Sequence, residues 1–311
     1  MVNARGSAVV IAFDRSEELT ATLSAIARSD TSSLNQLIIV LQPGNKKVEQ
    51  ICKKIDWIKC TILVSDAIKG APMVRINGNV FKGLEYAFSN PDNDWVAMIE
   101  DDIVIAPDFF RFSSFIVSKY EKEENFFGVN GFSGIKRRGF SDGDFGKYRY
   151  GLGWGWVITK NSWERLSKIW TGKEKIHWDV HIEHFIKTGF VIMPIQSRIL
   201  NIGFNEKATH TKNECGEMDS KSAKIQSSFV AHNYKGSYHE VSRDLEWRRD
   251  CRQYLSDPKP LAQATNTLYN LNSKVQYPKK TTFASVNIKN IWIRINEVLL
   301  DFLYFLAKFF S

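Results

Sequence analysis

An α/β fold, a Rossmann-type mixed sheet flanked by helices, is predicted by three features of this sequence. Short apolar runs alternate with helical patterns through the first 130 residues, an acidic triplet closes the fourth run, and Phe126 to Gly203 is rich in aromatics and glycine. Strands alternating with helices call for a parallel sheet with right-handed crossovers. The aromatic, glycine-rich middle suits the mixed continuation of that sheet, with loops that line a site.

The elements follow in order. Ala8 to Phe13 reads as a buried parallel strand, and Asp14-Arg15-Ser16 leads into a helix over Glu17 to Ala27. Asp14 and Glu17 have the spacing of a capping box. Leu37 to Leu41 is the second strand, and a turn at Pro43-Gly44 opens a short helix. Thr61 to Val64 is the third strand, followed by a helix over Asn79 to Phe88. Trp95 to Ile99 is the fourth and ends in Glu100-Asp101-Asp102; a further helix starts near Pro107, a residue suited to a first helical turn. Residues 1–245 are expected to form one catalytic domain, with a ligand-binding half over 1–125 and a second half over 126–245. Periodicity weakens over 246–286, where Pro258, Pro260 and Pro278 break the pattern, and 287–311 is a separate helical signal.

At 311 residues the chain buries an ample core, and 43% hydrophobic with 24% charged residues excludes wholesale disorder. The net charge of +8 favours anionic partners. No basic run with interleaved aromatics stands out, so nucleic acid is not the expected one. Cys52, Cys60, Cys215 and Cys251 are scattered without a CxxC pair, which reads as reduced thiols in a cytosolic protein. Met1 to Gly6 is polar and lacks the apolar core of a signal peptide, and no apolar run reaches membrane-spanning length. The expected location is the cytoplasm.

The acidic triplet is the first candidate for chemistry. Carboxylates at the carboxyl end of a parallel strand face the crevice where open sheets bind ligands, and one or two of them can hold a hard divalent cation such as Mn²⁺ or Mg²⁺. A solvated acidic turn is the alternative. As a carboxylate facing solvent, Asp102 is expected to contribute little to the core. His177 and His181 are four apart, the zinc-ligand spacing of metallohydrolases, but Trp178 stands where a zinc protease carries its Glu. Gly151, Gly153 and Gly155 alternate with Leu152, Trp154 and Trp156. No Lys-Ser/Thr helix follows them, so they are read as letting backbone approach a bound ligand while Trp154 and Trp156 stack on it.

The stretch Ile99 to Phe110 closely resembles the metal-binding segment of the N-acetylglucosaminyltransferase I family, in which "EDD", an apolar triplet and "PDFF" occur in this order. Phe13-Asp-Arg-Ser16, Gly151-Leu-Gly-Trp154 and His177-Trp-Asp179 resemble further segments of that family. Trp154-Gly-Trp156, Trp178-Asp179 and Asn201-Ile-Gly-Phe204 running to Ala208-Thr-His-Thr211 are similar to bacterial family-2-type glycosyltransferases of polysaccharide clusters. The resemblance implies a GT-A-like fold and transfer of a sugar from a nucleotide-sugar, most simply a UDP-sugar, to a glycan or lipid-linked glycan. It implies that Asp102 binds the metal, joined by His210. Glu100 and Asp101 meet the nucleotide, Phe13 and Arg15 lie against it, and Gln42 sits near its base. Arg75, preceding the third helix, reaches the diphosphate, and Gly153 and Trp154 shape the sugar pocket. An inverting transfer needs a general base. In the family it is the second acid of "WDD", which is Val180 here, so Asp179 is the first candidate and Glu183 the second. Asp179 also suits the N-cap of a helix beginning at Val180. A non-catalytic nucleotide- or glycan-binding member of the same fold is the alternative function, and a zinc hydrolase the more distant one.

In 287–311, Asn290, Arg294, Glu297, Asp301 and Lys308 form a narrow polar stripe at helical spacing, with Trp, Phe, Leu and Ile around the rest. The charges argue against a spanning helix, whereas an amphipathic helix lying on the inner face of the cell membrane fits. Docking on the chain's own domain or on a second subunit is the alternative.

Overall fold

Four parallel strands, β1 (Gly6–Ala12), β2 (Leu34–Leu41), β3 (Cys60–Val64) and β4 (Trp95–Glu100), build the first half of the sheet. They are seen in a computed structural model that describes residues 4–65, 72–133, 140–148, 154–173, 182, 189–203 and 229–241. Further along lie β5 (Ile103–Ile105), β6 (Phe126–Asn130), β7 (Asp144–Tyr148), β8 (Trp156–Thr159), β9 (Phe190–Pro194), β10 (Ile199–Asn201) and β11 (His239–Glu240). The helices are α1 (Ser16–Ala27), α2 (Lys46–Lys53), α3 (Pro72–Phe88), α4 (Phe109–Tyr120) and α5 (Lys160–Leu166). Nine strands form one mixed sheet in the order β11-β7-β9-β6-β8-β4-β1-β2-β3, and β10 pairs antiparallel with β5 in a separate ribbon. The expected α/β class and mixed sheet are therefore present. The chain divides into Met1–Val241 and Ser242–Ser311, and the second unit, including the expected helix at 287–311, lies outside the described residues.

The strand period of two explains the layering. Ala8, Val10 and Ala12 of β1 with Leu37, Ile39 and Leu41 of β2 face one core, where they meet Leu19, Leu23 and Ile26 of α1 and Val48 and Cys52 of α2. Val9, Ile38 and Val40 face the other, against Val80, Leu84 and Ala87 of α3. A strand buried on both faces reads as a continuous apolar run, which is why β1, β2 and β4 are visible in the sequence.

Three boundaries differ from expectation. α1 is capped by Arg15 without a side-chain hydrogen bond, so Asp14 lies one residue outside the cap and the capping box does not form. α3 starts at Pro72 rather than Asn79, which places Arg75 inside its first turn and not before the helix. Asn77, Gly78 and Asn79 are poor helix formers, but Asn77 and Asn79 are buried, and Ser65 Oγ donates to Asn79 Oδ1 at 2.6 Å. Tertiary packing there overrides propensity. α4 begins at Phe109, two residues past Pro107.

The β5–β10 ribbon is anchored by a fully buried ion pair. Arg198 and Asp108 are both 0% exposed. The guanidinium donates to Asp108 through Nε and Nη2, to the Gln196 carbonyl at 2.9 Å and to the Asp142 carbonyl, and it lies over the Phe112 ring at 5.3 Å. Tyr238 Oη donates to Asp108 Oδ2 at 3.0 Å. Removing one partner leaves an uncompensated buried charge. Arg198→Met is accordingly expected to lower the unfolding free energy by about 3–5 kcal/mol, read from urea melts. Adding Asp108→Leu should recover part of that loss, and a single variant as stable as the parent would show that the pair contributes nothing.

Candidate active site

The strand order reverses between β1 and β4. The chain runs outward from β1 through β2 to β3 and then returns to place β4 on the other side of β1, so the carboxyl ends of β1 and β4 flank a topological switch point. Ile11 is in register with Glu100, which sets Phe13 and Arg15 beside the acidic triplet. Gln42, just past β2, donates its backbone N–H to the Ala12 carbonyl at 2.9 Å and so stands at the same end of the sheet.

The three acids sit in different surroundings. Glu100 is exposed, whereas Asp101 is 8% and Asp102 5% exposed. Asp101 Oδ2 accepts the Phe13 N–H at 3.2 Å, and Thr22 Oγ1 donates to the Asp101 carbonyl at 2.8 Å. The Arg15 guanidinium pairs with Asp102 Oδ2 and lies 3.8 Å from Asp101 Oδ1. Asp102 Oδ1 is buried and has no hydrogen-bond partner among the described residues. The expectation of a solvent-facing Asp102 is thus corrected. The turn between β4 and β5 tucks it under residues 201–203, where the Ile202 N–H donates to the Asp102 carbonyl at 2.9 Å.

Burial pushes the Asp101 carboxyl up to about 7, with the charge of Asp102 adding to the rise and Arg15 opposing it. Burial also raises Asp102, against the pull of Arg15. A raised carboxyl binds more protons folded than unfolded, so it lowers stability as pH rises from its unfolded value towards 7 and has no further effect above that. In metal-free protein, urea melts between pH 4.5 and 7.5 should show wild type losing about 3 kcal/mol relative to Asp101→Asn, since each tenfold gain in proton affinity on folding is worth about 1.4 kcal/mol. Parallel pH profiles for the two proteins would mean that Asp101 is not raised.

Phe13 is 42% exposed at the mouth of the site, a flat apolar face beside the acids. Arg75 is half-buried in the first turn of α3. Trp154 packs edge-on against Phe132 with ring centroids 4.8 Å apart. Trp156 is buried in the second core and lines a small recess with Ile11, Val80, Met98 and Glu100. Its indole is not presented for stacking as expected, which leaves Trp154 as the more exposed of the two. Gly155 has φ +61°, and a Cβ there would lie 2.2 Å from Ile199 Cδ1. The close approach this glycine allows is to Ile199 of β10. Gly153, Asp179, Glu183 and His210, with His177, His181 and His184, lie outside the described residues.

Among the described residues no three His, Cys, Asp or Glu side chains are grouped to hold a metal. Asp102 nevertheless fits a hard cation in kind, because its unbonded oxygen is an acceptor that burial makes costly to leave unsatisfied. Two features of the structure have no counterpart among the sequence expectations: the Arg198–Asp108–Tyr238 cluster and the closeness of Gly203 to Asp102. The only signal for the latter is the Asn201-Ile-Gly-Phe204 resemblance.

The profile of the GNT-I family matches residues 3–211, a span that takes in β1, the acidic triplet and the 201–203 turn. The chain belongs to the GNT-I family. That is a family of glycosyltransferases, so the resemblance read from the motifs is borne out and the zinc hydrolase is set aside. An Alpha-1,3-mannosyl-glycoprotein 2-beta-N-acetylglucosaminyltransferase of Arabidopsis thaliana is 27% identical over 112 residues, which are 35% of this chain and 24% of the plant protein. The match thus spans about a quarter of that relative's length. Two structures of S. aureus TarS are similar at 11% identity. One, of residues 1–349, has a TM-score of 0.46 over 63% of this chain and 59% of the other. The second has a TM-score of 0.45 over 62% and 35%.

Proposed function

We propose that this chain is an inverting glycosyltransferase, dependent on Mn²⁺ or Mg²⁺, that moves a sugar from a UDP-sugar onto a glycan or lipid-linked glycan in cell-surface polysaccharide synthesis. The observation that carries the reading is Asp102, buried at the switch point with one oxygen on Arg15 and the other without a partner among the described residues. Asp102 would hold the cation, with His210 as the added ligand. A divalent cation there supplies positive charge against which a nucleoside diphosphate can leave. Arg15 and Arg75 would meet the diphosphate, Phe13 would lie on the nucleotide, Glu100, Asp101 and Gln42 would contact its ribose and base, and Gly153 and Trp154 would border the sugar. Asp179, or failing it Glu183, would take the proton from the acceptor hydroxyl.

A thermal-shift panel of UDP-sugars with and without Mn²⁺ tests this. The relative's name favours UDP-N-acetylglucosamine as the first member. A true donor at 100 to 1,000 times its Kd stabilises the fold by about 3–4 kcal/mol, and only when Mn²⁺ is present. No shift with any nucleotide would end the reading. Val180, where the family has its second acid, favours a second reading, a non-catalytic binder of the same ligands. Donor hydrolysis without acceptor separates the two.

We also propose that the protein works at the inner face of the cell membrane through 287–311. Among the described residues no helix is long and apolar enough to cross a membrane. Residues 287–311 would lie in the interface instead, with Lys and Arg adding about 1 kcal/mol each near anionic headgroups. In liposome flotation the full chain should rise with anionic vesicles and a chain ending at 286 should not. If the shortened chain floats equally, the tail is not the anchor.

A further inference from the structure

The Asn201-Ile202-Gly203 turn takes no part in the function proposed above, yet it forms one wall of the Asp102 site. We infer that Asn201 and Gly203 are positioning residues that hold the Asp102 carboxylate with one oxygen left for a ligand. The inference rests on Asp102 being the acid that meets the cation.

β10 runs antiparallel to β5 with Asn201 opposite Ile103, so the residues after β10 arrive over the turn that carries Asp102. The Ile202 N–H fixes that arrival by donating to the Asp102 carbonyl at 2.9 Å. Asn201, 8% exposed, closes the turn by accepting the Gly203 N–H on Oδ1 at 2.7 Å. Gly203 then lies so near that a Cβ would stand 1.9 Å from Asp102 Oδ2 and 2.6 Å from its Cγ. The carboxylate is thereby held between the Gly203 backbone and the Arg15 guanidinium, and Oδ1 remains the oxygen without a partner among the described residues. Any side chain at 203 must displace either the turn or the carboxylate, since overlap at that distance cannot be absorbed by small adjustments. The Arg198–Asp108 pair sets the start of the same strand, so the turn hangs from a rigid base.

The test measures Mn²⁺ binding by the full chain, from the electron paramagnetic signal of free Mn²⁺, beside its metal-free melting temperature. Gly203→Ala should weaken Mn²⁺ by about 10- to 100-fold, the usual effect of disturbing the groups that orient a metal ligand. Asn201→Ala should weaken it by about 10-fold, and Asn201→Ser, which keeps a short acceptor for the Gly203 N–H, should stay near wild type. Ile199→Val, which removes one buried methylene from the same strand without touching the turn, should lower the melting temperature and leave Mn²⁺ binding unchanged. Should Gly203→Ala fail to fold, the Asn201 pair and Ile199→Val decide the matter. If Asp102→Asn binds Mn²⁺ as well as wild type, the metal reading itself is wrong and the inference falls with it. If Asp102→Asn loses Mn²⁺ while Asn201→Ala keeps it, or Asn201→Ser fares no better than Asn201→Ala, the positioning role alone is overturned.

Discussion

Asp102→Asn is expected to abolish Mn²⁺-dependent binding of UDP while leaving the metal-free protein folded. The amide keeps the shape that fits beneath Gly203 and leaves the backbone bond from Ile202 untouched. Arg15 loses a charge partner but keeps Asp101 at 3.8 Å. Burial already penalises the Asp102 carboxylate, so removing its charge relieves part of what losing the ion pair costs. The ligand-free melt should therefore move little. An amide oxygen is a far weaker ligand than a carboxylate for a hard cation, and the neutral side chain no longer offsets the charge of the metal. The stabilisation of about 3–4 kcal/mol expected for the wild type with saturating donor and Mn²⁺ should vanish in the variant. Undiminished UDP affinity with Mn²⁺ would remove Asp102 from the metal site.

The parts of this fold that are legible in the sequence are those whose signal is local. β1, β2 and β4 are apolar runs because both faces are buried, and the acids closing β4 stand out against such a run. What is not legible depends on partners far along the chain. β5 and β10 have three residues each, too few to show a period, and they exist only because they pair with each other. Arg198 reads as a surface residue, since arginine is almost never fully buried unless paired, and its partner is 90 residues away. The burial of Asp102 comes from the 201–203 turn, so an acid expected to face solvent is instead roofed by backbone. Trp154 and Trp156 are two apart and would share a face on a strand, but β8 begins only at Trp156 and Gly155 before it turns at positive φ. The two indoles consequently part, one against Phe132 and the other into the second core.

Asp179→Asn should leave donor and Mn²⁺ binding near wild type and reduce sugar transfer by about 10²–10⁴-fold, the usual contribution of a positioned general base. The proposal is chemical, since residue 179 lies outside the described residues. An inverting displacement requires a carboxylate to take the acceptor proton as the hydroxyl attacks the face opposite the diphosphate. In this chain the family's second acid has become Val180, which leaves Asp179 one residue before it and Glu183 three after. Residues four apart share a helical face, so Asp179 and Glu183 can be presented to the same acceptor, and the variant pair distinguishes them. Asparagine serves as well as aspartate at an N-cap, so if Asp179 also caps a helix, lost transfer in Asp179→Asn cannot come from fraying. Single-turnover transfer and donor affinity should be measured on both variants. Transfer lost in Asp179→Asn alone assigns the base to Asp179. Wild-type turnover in Asp179→Asn with loss in Glu183→Gln moves it to Glu183. Full transfer in both would mean that neither acid removes the proton, and the catalytic assignment built on this segment would have to be abandoned.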